Sequence, residues 1–231
     1  GQEISLIDGI LIKSFMQMGL PIHTEDSHNG FNHEYFYICN PANEGESLVL
    51  PGVSGTSRTK AYSIGMVYDY PMEREFRLRF RNDKNKNEEP ALVTYGISPT
   101  RAVHCILHAH HDDRGFDLPA TVRPFDAVII PSNEEALENA QTLYSKIRAD
   151  MLRATGGNIN AMEHVALDDR IRTPIAERQK FAEYIGTPLT VVVGRNGYEM
   201  TARDGQKLSS TPEQDTAARA IIGLSALTRP L

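Results

Sequence analysis

The sequence predicts an α/β protein with two domains, an antiparallel β-sheet with helices followed by a mixed sheet covered by helices. In the first half, β-prone segments follow one another without helical crossovers, which is typical of antiparallel pairing. In the second half, strand-like and helix-like segments alternate, which is typical of a sheet with helices packed on its faces. We expect the first domain to span residues 1–119 and the second to span residues 120–231.

Composition narrows the class of protein. The 231 residues, 40% apolar and 23% charged, are ordinary for a globular protein, and no apolar run approaches the roughly 20 residues of a membrane span. Cys39 and Cys105 are too few for a disulfide framework, which favours a reducing compartment, the cytoplasm or an organellar matrix. The net charge of −6 argues against a protein that coats nucleic acid indiscriminately. It does not exclude an RNA partner that binds a local basic patch, so the net charge decides little. We expect no DNA partner.

The first half begins with a helix. Apolar residues three and four positions apart predict an amphipathic helix over Ile4–Met18, which Gly19 and Pro21 stop. Polar loops are expected over residues 26–34 and 40–60, because these segments are rich in Gly, Ser, Asn and Pro or in charged residues. Strands, one of them half-buried with an arginine-rich outer face, are predicted over Tyr35–Cys39, Ser63–Tyr70, Phe76–Phe80 and Ala91–Tyr95.

The last of these strands leads into the stretch Tyr95–Arg101 and then into a helical segment over Ala102–His111. Gly96 lacks a Cβ, so backbone or ligand can approach closely there. A proline suits the first turn of a helix, and Arg101 would then lie in that turn with its guanidinium able to bind phosphate oxygens. The pattern fits a nucleotide site, and it also fits any strand-to-helix junction that carries a surface arginine.

The second half alternates regularly. Ala127–Pro131 is a wholly apolar run, typical of a strand that is buried on both faces. Asn133 can cap the following helix, which is predicted to end near Arg153 and to bury a stripe that includes Ala136, Ala140, Leu143, Ile147 and Leu152. The remaining elements are predicted to be strand His164–Leu167, helix Pro174–Ile185, strands Leu189–Gly194 and Tyr198–Ala202, and a last helix that starts at Thr211.

The stretch Tyr95–Arg101 resembles motif 3 of class II aminoacyl-tRNA synthetases, and most closely the version in prolyl-tRNA synthetases, Tyr-Gly-Ile-Gly-x-Ser/Thr-Arg. Ser98 stands where that family has its second glycine. The resemblance implies that Arg101 is a catalytic residue that holds the phosphates of ATP. It also implies that Gly96 and Ser98 border the nucleotide, with ATP and Mg²⁺ as the cofactors of a complete synthetase.

Segments upstream of that stretch resemble the same family. Asn32-His33-Glu34-Tyr35 is similar to the family's Ser-His-Glu-Phe, and residues 63–68 are similar to a strand that reads Glu-Val-Gly-His-Ile-Phe. The resemblance implies an amino-acid pocket formed by His33, Glu34, Gly65 and Met66. From the residues alone, His33 and Glu34 also fit a surface loop. Because only a short loop separates the two segments, we expect no editing domain.

The second half resembles the anticodon-binding domain shared by the glycyl, histidyl, prolyl and threonyl synthetases. The similar segments are Gly115–Pro119, Arg123–Phe125, Asp168–Arg170 and Ile185–Pro188. Asp169 and Arg170 follow a predicted strand at its carboxyl end, where α/β sheets bind ligands, and Arg170 can pair with Asp169 or with phosphate. We therefore expect a tRNA-binding role for them, although a charge cluster that caps a strand fits as well. Lys180, Arg195 and Arg203 are further candidates for RNA contact.

Histidines on the predicted helix after Arg101 suggest a metal site at first sight. His104 and His108 are four residues apart on one face, but that helix offers no acidic or cysteine partner at a ligand-like offset. We therefore expect no metal ligands in this protein.

The resemblance as a whole implies the C-terminal part of a prolyl-tRNA synthetase, which ligates proline to tRNA at the expense of ATP. Motifs 1 and 2 of the family are not found in the chain, so we expect no activity in isolation, and either a homodimer or a partner chain that supplies them. The alternative is a non-catalytic paralogue that acts as an RNA-binding or accessory subunit. Ser63, Met66 and Ser98 favour that alternative, because they depart from the family pattern. A generic nucleotide-binding module is disfavoured, since none of the common Gly-rich phosphate loops is present.

Overall fold

A computed structural model describes residues 2–20, 22–26, 32–39, 60–70, 78–90, 92–157 and 163–209. The chain forms two compact units, residues 1–109 and 110–231. The assignment of domains to residues 1–119 and 120–231 stays a prediction. The expected loop up to residue 59 and the expected helix from Thr211 lie outside the described residues. No helix among the residues that are described is long and apolar enough to cross a membrane.

The first unit is built on an antiparallel sheet with two helices, as predicted. Four of its strands form one sheet in the order β1-β2-β3-β6, and β4 pairs with β5 in a separate hairpin. The elements are α1 (Gln2–Gln17), β1 (Ile22–Asp26), β2 (Asn32–Cys39), β3 (Lys60–Tyr70), β4 (Phe80–Arg81), β5 (Asn87–Glu88), β6 (Leu92–Ile97) and α2 (Pro99–Ala109).

Helix α1 ends as its sequence predicts. Gly19 has a φ of 72°, and its N–H donates to the carbonyl of Met16 at 3.0 Å, so the left-handed glycine closes the last turn. Leu11 and Phe15, one turn apart, are buried on the same helix. Both α1 and α2 contact β3, which places the core of this unit against its longest strand.

Two predictions for the first unit are wrong in part. The expected loop over residues 26–34 runs into β2, because Asn32–Glu34 pair with β3 and that pairing extends the strand beyond its apolar residues. The expected half-buried strand over Phe76–Phe80 is described only from Leu78 onward, and only Phe80 enters a strand. Leu78 and Phe80 are 47% and 48% exposed, because β4 is bonded to a partner strand of only two residues.

The second unit contains the mixed sheet that the alternating pattern predicts. Its five strands lie in the order β10-β9-β11-β12-β13, with β10, β9 and β11 parallel and the remaining pairs antiparallel. The elements are the hairpin β7 (His111–Asp112) and β8 (Gly115–Phe116), then β9 (Ala127–Pro131), a 3₁₀ turn (Glu134–Ala136), α3 (Leu137–Ala154), β10 (Val165–Leu167), α4 (Ile175–Tyr184), β11 (Leu189–Val193), β12 (Tyr198–Ala202) and β13 (Lys207–Ser209).

Strand β9 is apolar throughout because helices cover both of its faces. Ala127 and Ile129 pack in the cluster that includes α3, while Val128 and Ile130 pack in the cluster that includes Ala182 of α4. The side chain of Asn133 accepts a hydrogen bond from the Ala136 N–H at 3.0 Å and so caps the 3₁₀ turn. The predicted cap therefore lies one turn early, because α3 itself begins after Ala136 without a side-chain cap.

The buried stripe of α3 differs from the expected one by a single residue near its end. Met151 is buried and Leu152 is only half-buried, because residues one turn apart, at Leu143, Ile147 and Met151, face the sheet together.

Candidate functional site

Three of the residues assigned to the amino-acid pocket and the nucleotide lie in one row across the first sheet. Glu34 of β2 pairs with Met66 of β3, and Met66 pairs with Gly96 of β6. Residues directly opposite each other in antiparallel strands have Cα atoms about 4.5–5.5 Å apart and share a face. Met66 is 40% exposed and Gly96 is exposed, so the row is open to solvent at these two positions.

The other two pocket residues lie beside this row. His33 pairs with the buried Val67, and the buried Gly65 pairs with Tyr35 on one side and Ile97 on the other. The register therefore brings the four pocket residues and Gly96 onto neighbouring positions of β2, β3 and β6.

A β-bulge at Ile64 connects this sheet to the start of α2. The register between β2 and β3 shifts so that Ile64 has no partner on β2, and its carbonyl instead accepts a hydrogen bond from the Ser98 N–H at 2.9 Å. The Ser98 carbonyl in turn accepts from the Ala102 N–H at 2.9 Å and begins the helix. Both bonds use the backbone of Ser98, so they place no requirement for glycine on this position.

Arg101 lies in the first turn of α2 and is exposed, as the sequence predicts. A cation near a helix N-terminus opposes the helix dipole by about 0.3–1 kcal/mol, so helix stability does not account for this arginine. The first-turn N–H groups and a guanidinium together suit an anion such as a phosphate. The space beside Gly96 is open, because a Cβ built on it would meet no atom within 4 Å.

The second candidate site lies where the parallel strands of the second unit end. Asp168, Asp169 and Arg170 follow β10 directly. The Nε and Nη2 atoms of Arg170 donate to Oδ1 and Oδ2 of Asp168 at 2.9 and 2.7 Å. The Cζ atom of Arg170 also lies 5.0 Å from the centroid of the Phe181 ring on α4. An arginine plane therefore lies over an aromatic ring that is 51% exposed.

Arg170 pairs with Asp168 rather than with Asp169, one of the two partners that its sequence position allowed, because the local loop brings Asp168 to it. The carboxylate of Asp168 accepts the Arg170 N–H at 3.1 Å, which folds the loop back on itself. Partial burial raises the pKa of Asp168, but hydrogen bonds from Arg170 and the charges of Arg170 and Arg178 outweigh that effect. The pKa of Asp168 therefore lies below its ordinary value of 3.8, and the carboxylate is charged at neutral pH.

Arg178 is a residue of this site that the sequence analysis missed. Its side chain is 1% exposed, and it donates to the carbonyls of Pro131 at 2.9 Å and Asp168 at 3.2 Å. It thereby ties the carboxyl ends of β9 and β10 together from helix α4. Its spacing in the sequence could have revealed it, because Arg178 lies one turn before the buried Ala182, on the face of the helix that packs on the sheet.

These residues border a cavity of about 230 Å³. Drug-sized ligands occupy cavities of roughly 300–1,000 Å³, so this one is too small to enclose a whole nucleotide. Its walls combine apolar side chains with two arginines and two aspartates, and they include Phe125, Leu167, Asp168, Asp169, Arg170, Arg178 and Phe181.

The other residues predicted to contact tRNA do not all lie at the same edge of the second sheet. Lys180 is exposed on α4 next to Phe181, and the exposed Arg195 follows β11 at the same edge of the sheet as Arg170. Arg203 follows the antiparallel strand β12 and therefore lies at the opposite edge. Its Nη1 and Nη2 atoms each donate to Asp112 at 2.7 Å, and its side chain is only 13% exposed.

His104 is exposed and His108 is half-buried on α2. The described part of the chain contains no group of three or more His, Cys, Asp or Glu residues that could hold a metal ion.

Comparisons with known proteins agree on one family. The chain is 32% identical over 142 residues to the proline–tRNA ligase of Thermodesulfovibrio yellowstonii. This match covers 59% of this chain and 23% of the relative. It is 26% identical over 134 residues to the probable mitochondrial proline–tRNA ligase of Schizosaccharomyces pombe. That match covers 58% of this chain and 28% of the relative. The chain thus spans about a quarter of the length of these curated relatives. No protein-family model matches it.

The structural comparison shows the same fold. The Giardia lamblia prolyl-tRNA synthetase, solved in complex with prolyl-adenylate, superposes with a TM-score of 0.59 at 20% identity. The match covers 97% of this chain and 48% of the Giardia chain. Both units therefore have counterparts in about half of a synthetase.

Proposed function

We propose that this chain, which is similar in sequence to prolyl-tRNA synthetases and shares their fold, is the C-terminal part of such an enzyme. In this role the first unit contributes one side of the site for ATP and proline, and the second unit recognises the anticodon of tRNA. ATP-dependent ligation of proline to tRNA belongs to the complete enzyme, of which this chain matches a part.

The observation that carries the proposal is the stack of Arg170 on Phe181 beside a small cavity. Unpaired RNA bases bind by stacking on aromatic rings or on arginine planes, and by hydrogen bonds from their edges. Two hydrogen bonds to Asp168 hold the guanidinium of Arg170 in place, so little conformational entropy is lost when a base stacks on it. Asp169 is exposed at the same place and can accept hydrogen bonds from the amino groups of a base. Lys180 and Arg195 would contact the backbone phosphates.

In the first unit, Arg101 would hold phosphate oxygens of ATP, while Gly96 and Ser98 would border the nucleotide. ATP would supply the adenylyl group that activates the carboxylate of proline. Mg²⁺ would come with the phosphates, because the described residues offer no cluster of acidic ligands for it. His33, Glu34, Gly65 and Met66 would border the proline from β2 and β3.

Catalysis needs more than one fixed positive charge beside the phosphates of ATP. A phosphoryl centre under attack is stabilised by several fixed cations, and the family's motif 2 supplies one of them. We therefore expect a partner chain to supply motifs 1 and 2, and a homodimer is the other assembly that we expect. Cytoplasm is the expected compartment, with an organellar matrix as the other option.

A non-catalytic RNA-binding paralogue is the second candidate, and Met66 favours it. This residue lies in the centre of the row Glu34–Met66–Gly96 with a side chain that is 40% exposed. A thioether donates no hydrogen bond and accepts only weak ones, so it can do little to orient a polar substrate. In that case tRNA binding would be retained and proline activation would be absent.

Filter binding of tRNA by the 231-residue chain tests the proposal. We expect tighter binding to a transcript with a proline anticodon than to the same transcript with an exchanged anticodon. Equal binding to both, or none at all, would overturn the anticodon-reading role. A charging assay with proline and ATP completes the test, and we expect no prolyl-tRNA from the chain alone. Formation of prolyl-adenylate after addition of a chain that carries motifs 1 and 2, with none formed by that added chain alone, would exclude the non-catalytic alternative.

A further inference from the structure

The hairpin of β4 and β5 presents an exposed, hydrogen-bonded turn. All residues from Leu78 to Glu89 are exposed except the half-buried Asn82. The Asn82 Oδ1 atom accepts hydrogen bonds from the N–H groups of Lys84 at 2.9 Å and Lys86 at 3.0 Å. Backbone bonds from Asn82 N to the Lys86 carbonyl and from Asn85 N to the Asn82 carbonyl close the turn. Asn85 takes the left-handed conformation with a φ of 57°, which asparagine tolerates well.

This turn concentrates positive charge in a chain whose net charge is −6. Residues 81–86, the tip of the hairpin, carry three cations, Arg81, Lys84 and Lys86, against the single carboxylate of Asp83. Among the described residues, neither Lys84 nor Lys86 forms an ion pair.

The other acidic residues of the hairpin lie further from the tip and are engaged. Glu89 pairs with Arg79 at 3.4 Å, and Glu88 accepts a hydrogen bond from Asn82. The lysine side chains of the tip are therefore presented to solvent on a turn that four hydrogen bonds restrain, which lowers the entropic cost of binding a polyanion.

We propose that the tip of this hairpin, residues 81–86, binds the phosphate backbone of RNA. Lys84 and Lys86 contact phosphates, and the exposed ring of Phe80 lies in the same hairpin, where a ribose or base can pack on it. The partner is a nucleic acid rather than an acidic peptide, because the inference rests on the tRNA-binding function proposed above. This contact is separate from the Arg170–Phe181 site and carries no sequence information, since phosphates are common to all tRNAs.

Salt-dependent tRNA binding tests this proposal. The logarithm of the binding constant falls with the logarithm of salt concentration by about 0.7–0.9 for each phosphate that a cation neutralises. We expect Lys84→Ala with Lys86→Ala to weaken binding of a tRNA transcript about fivefold or more and to reduce that slope by about 1.4–1.8. The double variant Lys84→Arg with Lys86→Arg keeps both charges, so its affinity for the transcript and its salt slope should equal those of the unmodified chain. Lys13→Ala removes an exposed lysine from α1 and should change neither.

The outcomes separate this inference from the function on which it rests. If the unmodified chain binds no tRNA at any salt concentration, the proposed function fails and the hairpin contact fails with it. If the unmodified chain binds and the double alanine variant binds with the same affinity and slope, only the hairpin contact is overturned. A loss of affinity with an unchanged slope also overturns it, because the lysines would then displace no counterions.

Discussion

Arg203 and Asp112 are 91 positions apart in the sequence, yet both terminal nitrogens of the arginine donate to the aspartate carboxylate at 2.7 Å. The pair ties hairpin β7–β8 to the segment after β12 within the second unit. Hydrogen bonds from Arg203 and from the Arg114 N–H hold the pKa of Asp112 far below its ordinary value of 3.8. The same pairing raises the pKa of the Arg203 guanidinium.

Acid should weaken this link. A carboxylate whose pKa is depressed in the folded state stabilises the fold fully above its unfolded pKa, and that contribution is lost as pH falls toward the folded pKa. We expect Asp112→Asn to be less stable than the unmodified chain at pH 7, with a difference that shrinks steadily below pH 3.8. Urea unfolding at pH 7, 5 and 3 measures the difference. Asp83→Asn, at an exposed turn, is the control and should show none. An equal difference at pH 3 and pH 7 would contradict this account.

The close approach of β8 to helix α4 gives a second prediction. A Cβ on Gly115 would lie 2.5 Å from both the Cα and the carbonyl oxygen of Tyr184, and the φ of Gly115 is 137°. Backbone atoms cannot move aside as a flexible side chain can, so we expect Gly115→Ala to lower the free energy of unfolding by about 2–4 kcal/mol. Gly96→Ala is the matched control, because its Cβ would enter open space. Its unfolding free energy should change by less than about 0.5 kcal/mol. Chemical denaturation that gave equal effects for both would refute the steric argument.

The sequence predicted best what is decided locally. Strand Ala127–Pro131 was predicted correctly, because an unbroken apolar run acts within a few residues. Asn133 was recognised as a capping side chain for the same reason, although it caps the 3₁₀ turn that precedes α3. The start of β2 was missed because pairing with β3, rather than its own polar residues, makes Asn32–Glu34 extended. That pairing depends on contacts more than 30 positions away, which no local pattern reveals.

The candidate site divides in the same way. The position of Arg170 after a buried strand was predictable, but its partner Asp168 depends on the fold of the loop. Arg178 and Phe181 were not predicted, because the buried stripe of a helix is recognised in a sequence by its apolar residues. Here a buried arginine occupies one position of that stripe, and the phenylalanine is half-exposed.

Arg178 gives a third prediction, on stability. Replacing it by methionine leaves the carbonyls of Pro131 and Asp168 without their donor, and each buried unsatisfied group costs about 1–3 kcal/mol. We therefore expect Arg178→Met to lower the free energy of unfolding by about 2–5 kcal/mol in a urea titration. Lys180→Met makes a similar change on the exposed side of the same helix and should shift it by less than about 0.5 kcal/mol. A stable Arg178→Met variant would mean that its carbonyl bonds contribute little.

The Arg170–Phe181 stack gives the last prediction, on RNA. Removal of an aromatic platform costs about 1–3 kcal/mol for each stacked base, so Phe181→Ala should weaken binding of a proline-anticodon transcript about tenfold. Because Phe181 is 51% exposed, the variant should remain folded, with a thermal midpoint close to that of the unmodified chain. Arg170→Ala should weaken binding at least as much, since it removes both the plane and the charge.

Arg172→Ala is the control that separates stacking from charge. It removes an exposed arginine only two positions away, so its effect measures the loss of one positive charge in this loop. If Arg170→Ala and Arg172→Ala weaken tRNA binding equally, and both do so by the same factor for every anticodon, the stack is not where a base is read. A larger effect of Arg170→Ala, confined to the proline anticodon, is the result that the geometry predicts, because only a stacked guanidinium held by Asp168 has a fixed plane to offer.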